Sequence, residues 1–412
     1  MREARLHLFE GYGIELEYMI VDRQSLSILP ITDKVIHAVS GSYESEIEMG
    51  PLNWSNELVL HVIELKTNGP VSALEPLPEL FDSHVRRINE ILARFDARLL
   101  PTAMHPWMNP AAETRLWQHE YNAVYESYDR IFGCTGHGWS NLQSLHMNLP
   151  FDGDGEFGRL HAAIRLVLPI IPAIAAASPL YENSISAFRD SRLEFYRNNQ
   201  EKIPSLAGQV IPEPIYTKKE YEEQLLGRLY ADISPHDPEG ILQFEWLNSR
   251  GAIARFDRNT IEIRVIDIQE CPLADLSIAA AISLLLHALT GEAVVPLEKQ
   301  QHFPTESLAE ILLGTIRNAE GAVINNPEYL GLFGWEERPA CTAGELWRHI
   351  YETCLRRNMK EIWRCPLETI LYRGTLSTRI VNYLNGDCSR EKIKECYRNL
   401  MDCLAEGRLF IG

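Results

Sequence analysis

The sequence predicts an α+β fold, and three observations carry that reading. Two stretches, 13–22 and 260–268, alternate apolar and polar residues at the period of a strand. Apolar residues at helical spacing fill 74–97, 157–177 and 272–290. From about residue 305 the chain reads as helical, with segments near 305–319, 342–359 and 389–405. No low-complexity linker sets this last part apart. The chain is therefore read as one domain over 1–412, with a sheet core over about 1–295 and a packed helical part over about 296–412.

The first strand, Gly13-Ile14-Glu15-Leu16-Glu17-Tyr18-Met19-Ile20-Val21-Asp22, sets the chemistry. Residues two apart on a strand share a face, so Glu15 and Glu17 point the same way, about 7 Å apart. Two carboxylates side by side repel each other. A divalent cation such as Mg²⁺, which takes hard oxygen ligands, is the usual compensation. A solvated polar face on an antiparallel sheet is the alternative. A turn at 22–25 and a return strand at 26–29 follow. Thr32 and Asp33 are placed to cap a helix near 34–39, and the polar stretch 40–56 reads as loop.

Residues 56–70 read as a strand that ends at Gly69-Pro70 and carries Glu64 and Glu57 inward. Glu64 lies in the apolar run Val62-Ile63-Glu64-Leu65. A buried carboxylate there needs a metal, or an ion pair with Lys66 or an arginine. An amphipathic helix at 74–97 and a second one at 111–132 come next, and the aromatic residues of the second are expected to pack. The Gly-rich loop 133–140 lacks both the Lys of a phosphate-binding P-loop and a G-x-G-x-x-G pattern. It leads into a strand over 141–149 on which His146 and Asn148 share a face.

After the apolar helix at 157–177, Arg189, Arg192 and Arg197 fall within nine residues. Arginine suits planar carboxylate or phosphate contacts, so this segment is either a grip on an anionic substrate or a solvated loop. On the strand at 261–268, strict alternation puts Glu262, Arg264 and Ile266 on one face and Asp267 on the other. Glu262 and Arg264 either pair with each other or set a metal ligand beside a phosphate clamp. Leu371-Tyr372-Arg373-Gly374-Thr375 reads as a turn between C-terminal helices.

A net charge of −18 argues against a nucleic-acid or anionic-membrane surface. It leaves anionic substrates open, because a bound cation inverts the field locally. Residues 1–10 are charged and lack the apolar core of a signal peptide. The apolar stretch 166–177 is interrupted by Pro169 and Pro172 and reads as a core helix rather than a membrane span. The eight cysteines form no C-x-x-C pair, so reduced thiols in a cytoplasmic protein are expected.

Gly13-Ile14-Glu15-Leu16-Glu17, Glu57, Glu64-Leu65-Lys66-Thr67, His146, Ser178-Pro179, Thr260-Ile261-Glu262-Ile263-Arg264-Val265 and Leu371-Tyr372-Arg373-Gly374 stand in this order over most of the chain. In that order they resemble the glutamate–cysteine ligase type 2 family of carboxylate–amine ligases. The resemblance implies a glutamine synthetase-like fold, an antiparallel sheet funnel with outer helices that guanidino kinases share. It implies ATP with Mg²⁺ or Mn²⁺, and a carboxylate, usually the γ-carboxylate of glutamate, activated as an acyl phosphate and captured by an amine.

Carried over by position, Glu15, Glu17, Glu57, Glu64, His146 and Glu262 are implied metal-site residues. Arg264, with Glu262, is the implied catalytic pair and clamps the transferring phosphoryl group. His146 and Arg373 are further implied nucleotide contacts, and Arg189, Arg192 and Arg197 implied substrate contacts. The partners implied are small molecules, a glutamate-like carboxylate and an amine, with a homodimer left open. Asn148 stands where the family commonly has a second histidine, and 182–216 matches poorly. Those departures put cysteine as the acceptor in doubt. A guanidino-kinase-like phosphotransferase and a non-catalytic relative are the alternatives, and the intact carboxylate and arginine set argues against the second.

Overall fold

The alternation at 13–22 produces the strand it predicts, and the sheet is built outward from it. The computed structural model describes residues 5–412. Eight strands form the main sheet: β1 Gly13–Asp22, β2 Glu46–Glu48, β3 Leu52–Asn56, β4 Val62–Thr67, β5 Ala97–Leu100, β6 Ser144–Pro150, β7 Ala252–Arg255 and β8 Thr260–Asp267. The order is β2-β3-β4-β1-β6-β8-β7, and every pairing is antiparallel. The first half of β1 pairs with β6, and its last four residues pair with β5 instead.

One face of this sheet is apolar. Leu16, Tyr18 and Ile20 of β1, Leu65 of β4 and Leu145 of β6 are fully buried on it. The helices Leu77–Leu92, Gly153–Val167 and Glu361–Arg373 pack around the helix Pro272–Thr290. Pro272–Thr290 is apolar on nearly all sides because it has neighbours on nearly all sides. It is the one helix among the described residues long and apolar enough to cross a membrane, and most of it is buried inside the protein. The helical part after residue 296 folds against this layer, with the helices Thr305–Asn318, Ala343–Ile350, Glu361–Arg373, Leu376–Leu384 and Arg390–Glu406.

Several local expectations are corrected. Residues 40–56 are not all loop: β2 and β3 lie there. Glu46-Ile47-Glu48 and Leu52-Asn53-Trp54-Ser55 do alternate, but with polar residues on the site face. The return strand at 26–29 is a single bridge, Val21 to Ile28. Thr32 does not cap its helix, which begins at Thr32 itself. Its hydroxyl instead donates to the carbonyl of Val62 at 2.9 Å. Residues 57–61 turn rather than extend, so Glu57 precedes β4. The helix expected at 111–132 is broken into a single turn, Pro110–Glu113, and the helix Asn122–Phe132, and Tyr121, ahead of the latter, is exposed rather than packed. Pro169 and Pro172 split 157–177 into three short helical pieces. Strict alternation also fails on β8, where the register shifts between Ile263 and Ile266. This β-bulge moves Asp267 onto the face of Glu262 and turns Ile266 away from it.

Candidate active site

Strand register turns the alternation into a site. Glu15 stands opposite Lys66 on β4 and His146 on β6, and Glu17 stands opposite Glu64. Ser55 of β3 is opposite Glu64, and Glu262 of β8 is opposite Asn148. Opposed residues in an antiparallel pair share a face. Five strands therefore present one continuous polar surface, backed by the apolar face described above.

Carboxylates gather at its centre. Ligand atoms of Glu15, Glu64 and His146 lie within 4.8 Å of one another, and so do those of Glu17, Glu57 and Glu64. Glu64 belongs to both groups, and these residues would hold divalent cations whose charge would offset that of the cluster. Oxygen donors dominate and fit Mg²⁺, and the single imidazole also suits Mn²⁺.

Hydrogen bonds hold these ligands in place. Glu17 accepts from the backbone N–H of Ser144 at 2.7 Å and from its hydroxyl at 3.0 Å. Glu15 accepts from Asn148 at 3.0 Å, and its other oxygen lies 3.1 Å from His146 Nδ1. Glu64 accepts from the Ser55 hydroxyl at 2.6 Å and lies 3.2 Å from Lys66 Nζ. Lys66 also reaches Glu46 at 2.6 Å. Glu64 is thus paired with Lys66, one of the two partners its sequence context called for, and it also sits among candidate metal ligands.

Burial and mutual repulsion push Glu57 well above the usual carboxylate range. Burial, with the charge of Glu15 next, pushes Glu64 up to about 7. Burial alone would lower His146, but the hydrogen bond to Glu15 and the charges of Glu17, Glu15 and Glu262 prevail and raise it to about 9. Within the cluster, Lys66 offsets part of the gathered negative charge. Glu262 is also buried, yet Arg264, His146 and Arg255 hold it down to about 2. Arg264 pairs with Glu262, while its Nε is buried without a protein partner. Tyr196 lies against the same guanidinium.

A cleft of about 1550 Å³ opens beside the cluster, lined by Gly11, Gly13, Glu15, Lys66, Asn148, Arg5 and Arg258 among others. A side chain at Gly13 would meet Asn148 at 3.0 Å and crowd the wall of this cleft.

The structure gathers Glu15, Glu17, Glu57, Glu64, His146, Glu262 and Arg264 into this one site. It does not gather the other arginines. Arg192 is almost fully buried in an ion pair with Asp267. Arg197, at the C-terminal end of the helix Ser191–Tyr196, pairs with Glu194 one turn back. Arg189 has its backbone held by Arg317 and Ser377, and its side chain, with one buried terminal nitrogen lacking a protein partner, makes no hydrogen bond or ion pair to the clustered residues. Arg373 is exposed at the end of its helix. Sequence reasoning missed Ser55, Ser144 and Asp267. The alternation of β3 pointed to Ser55, whereas only the pairing reveals the other two.

The sequence profile described as glutamate-cysteine ligase family 2 matches residues 12–318. The chain belongs to glutamate–cysteine ligase family 2. Every clustered site residue lies within that match, and Arg373 lies beyond it. An uncharacterised protein of Archaeoglobus fulgidus is 32% identical over 400 residues, covering 97% of this chain and all of that one. The solved glutamate–cysteine ligase of Francisella tularensis, in complex with AMP, superposes with a TM-score of 0.56 at 12% identity, covering 99% of this chain and 91% of that one. That likeness shows the fold alone, an α+β architecture built on an antiparallel sheet. Family membership makes the chain a ligase of the glutamate–cysteine ligase type.

Proposed function

We propose that this family member joins a glutamate-like carboxylate to an amine, using ATP and passing through an acyl phosphate. The observation that carries this reading is the juxtaposition on one sheet face of a carboxylate cluster and the Glu262–Arg264 pair. In the reaction, a substrate carboxylate oxygen attacks the γ-phosphorus and ADP departs. The amine nitrogen then attacks the acyl carbon, phosphate leaves and the amine gives up its proton.

Bringing a carboxylate to a triphosphate meets strong repulsion, and divalent cations held by Glu15, Glu17, Glu57, Glu64 and His146 offset that charge when bound. Arg264 follows the transferring phosphoryl group, its direction set by Glu262. Ser144 and Asn148 fix the carboxylates of Glu17 and Glu15. No side chain is required as a covalent nucleophile.

The test is a phosphate-release screen with ATP, Mg²⁺ and glutamate fixed and a panel of amines and amino acids varied, followed by mass spectrometry. ADP, phosphate and an amide appearing together support the proposal. Phosphate retained on a guanidinium product assigns the chain to phosphotransfer instead. No turnover with any pair supports a non-catalytic relative.

A further inference from the structure

Arg264 does not sit on a regular strand. Ile263 is opposite Met147 and Ile266 is opposite Leu145, so Arg264 and Val265 together face the single residue His146. A bulge re-aims the side chains it carries and needs support, because its extra residue leaves the ladder.

That support comes from outside the sheet. On one side the Arg264 N–H donates to the carbonyl of Gly251 at 3.0 Å. A side chain at Gly251 would come within 2.5 Å of Val265, so only glycine lets the two segments meet. On the other side Arg192 bonds Asp267 through Nε and reaches the Arg264 carbonyl with both terminal nitrogens, at 3.3 and 3.4 Å. The second Asp267 oxygen accepts from the Ala177 N–H and the Ser178 hydroxyl, each at 2.8 Å. The Ser178 hydroxyl in turn accepts from the Arg192 N–H at 3.1 Å. Arg192 and Asp267 are both buried, and each satisfies the other's charge. Tyr196, one turn after Arg192 on the helix Ser191–Tyr196, lies against the Arg264 guanidinium.

We infer that Arg192, Asp267 and Ser178 are positioning residues that set the β8 bulge and thereby aim Arg264 at the reacting phosphoryl group. The inference rests on the reading of Arg264 as that clamp. It reassigns Arg192 from substrate contact to a brace beneath the clamp. A small displacement of a charged group in such a site lowers turnover by about 10²-fold while binding survives.

The test uses the full chain with Mg²⁺ and ATP. Arg192→Lys and Asp267→Asn should lower kcat by about 10²-fold and leave the KM for ATP within about twofold. Combining either with Arg264→Ala should add no further loss, because both act through one side chain. A second readout needs no turnover: the ¹⁵N Nε–Hε resonance of Arg264, assigned with Arg264→Lys, should shift in both variants. Ser178→Ala removes one hydroxyl and keeps the ion pair, and should shift the same resonance less. It serves if the charged variants do not fold.

Wild-type kcat in a folded Arg192→Lys variant would overturn the inference, as would a loss that multiplies with that of Arg264→Ala. An unmoved Arg264 resonance overturns it as well. If Arg264→Ala itself keeps full turnover, the clamp reading fails, and the resonance alone then decides the positioning.

Discussion

The carboxylates on and beside β1 and β4 share a sheet face with Glu262 on β8, yet the two regions meet opposite electrostatic conditions. Glu64 is buried and Glu57 half-buried beside Glu15 and Glu17, with Lys66 as the nearest fixed cation, and both are held above the usual range. Glu262 is no less buried, but Arg264, His146 and Arg255 surround it and pull it down. Burial is common to both regions, so the difference lies in the neighbours. The β1–β4 region is short of positive charge and suits added cations. The β8 region carries its own counter-charge and is preorganised without them.

The comparison breaks first at Arg264. Arg264→Ala is expected to lower turnover by about 10²–10³-fold while the fold is retained, because a charge clamp acts mainly on the transition state. Steady-state kinetics on a variant with native circular dichroism checks this. Near wild-type turnover would make Arg264 only a structural partner of Glu262.

Next is binding in the β1–β4 region. Glu15→Gln/Glu17→Gln should abolish the Mg²⁺-dependent affinity for ATP in calorimetry. Unchanged affinity, or affinity independent of the metal in the wild type, would remove the carboxylate cluster from the reading.

Stability then sharpens the contrast. Glu262→Gln leaves the Arg264 guanidinium without its charge partner and should destabilise the metal-free protein by about 3 kcal/mol in urea unfolding. Glu64→Gln removes one member of a repelling group. It should change metal-free stability by less than about 1 kcal/mol or raise it. Equal losses in the two variants would mean that the regions do not differ as described.

The smallest effect concerns metal linkage. Mg²⁺ at about 100 times its Kd should stabilise the wild type by about 2.7 kcal/mol, read as a rise in Tm, and should stabilise Glu64→Gln less. An equal rise in both would place the cation elsewhere.

The sequence by itself determined what local periodicity can determine. The alternation over 13–22 fixed Glu15 and Glu17 on one face, because the side-chain period of a strand is a property of the backbone alone. The apolar run around Glu64 announced a buried charge in need of a partner, and apolar spacing announced the helices after residue 296. Through the ordered motifs, the resemblance also pointed to the family and its fold.

Tertiary structure decided which strands pair and in what register. That choice alone put Glu64 beside Glu17 and His146 beside Glu15, and made Ser144 a partner of Glu17. It also introduced the bulge that turned Asp267 toward the site and gave Arg192 a buried partner, where three arginines in a short segment had suggested a substrate grip. A bulge and an ion pair spanning 75 residues depend on contacts between distant strands and loops, which no local pattern encodes.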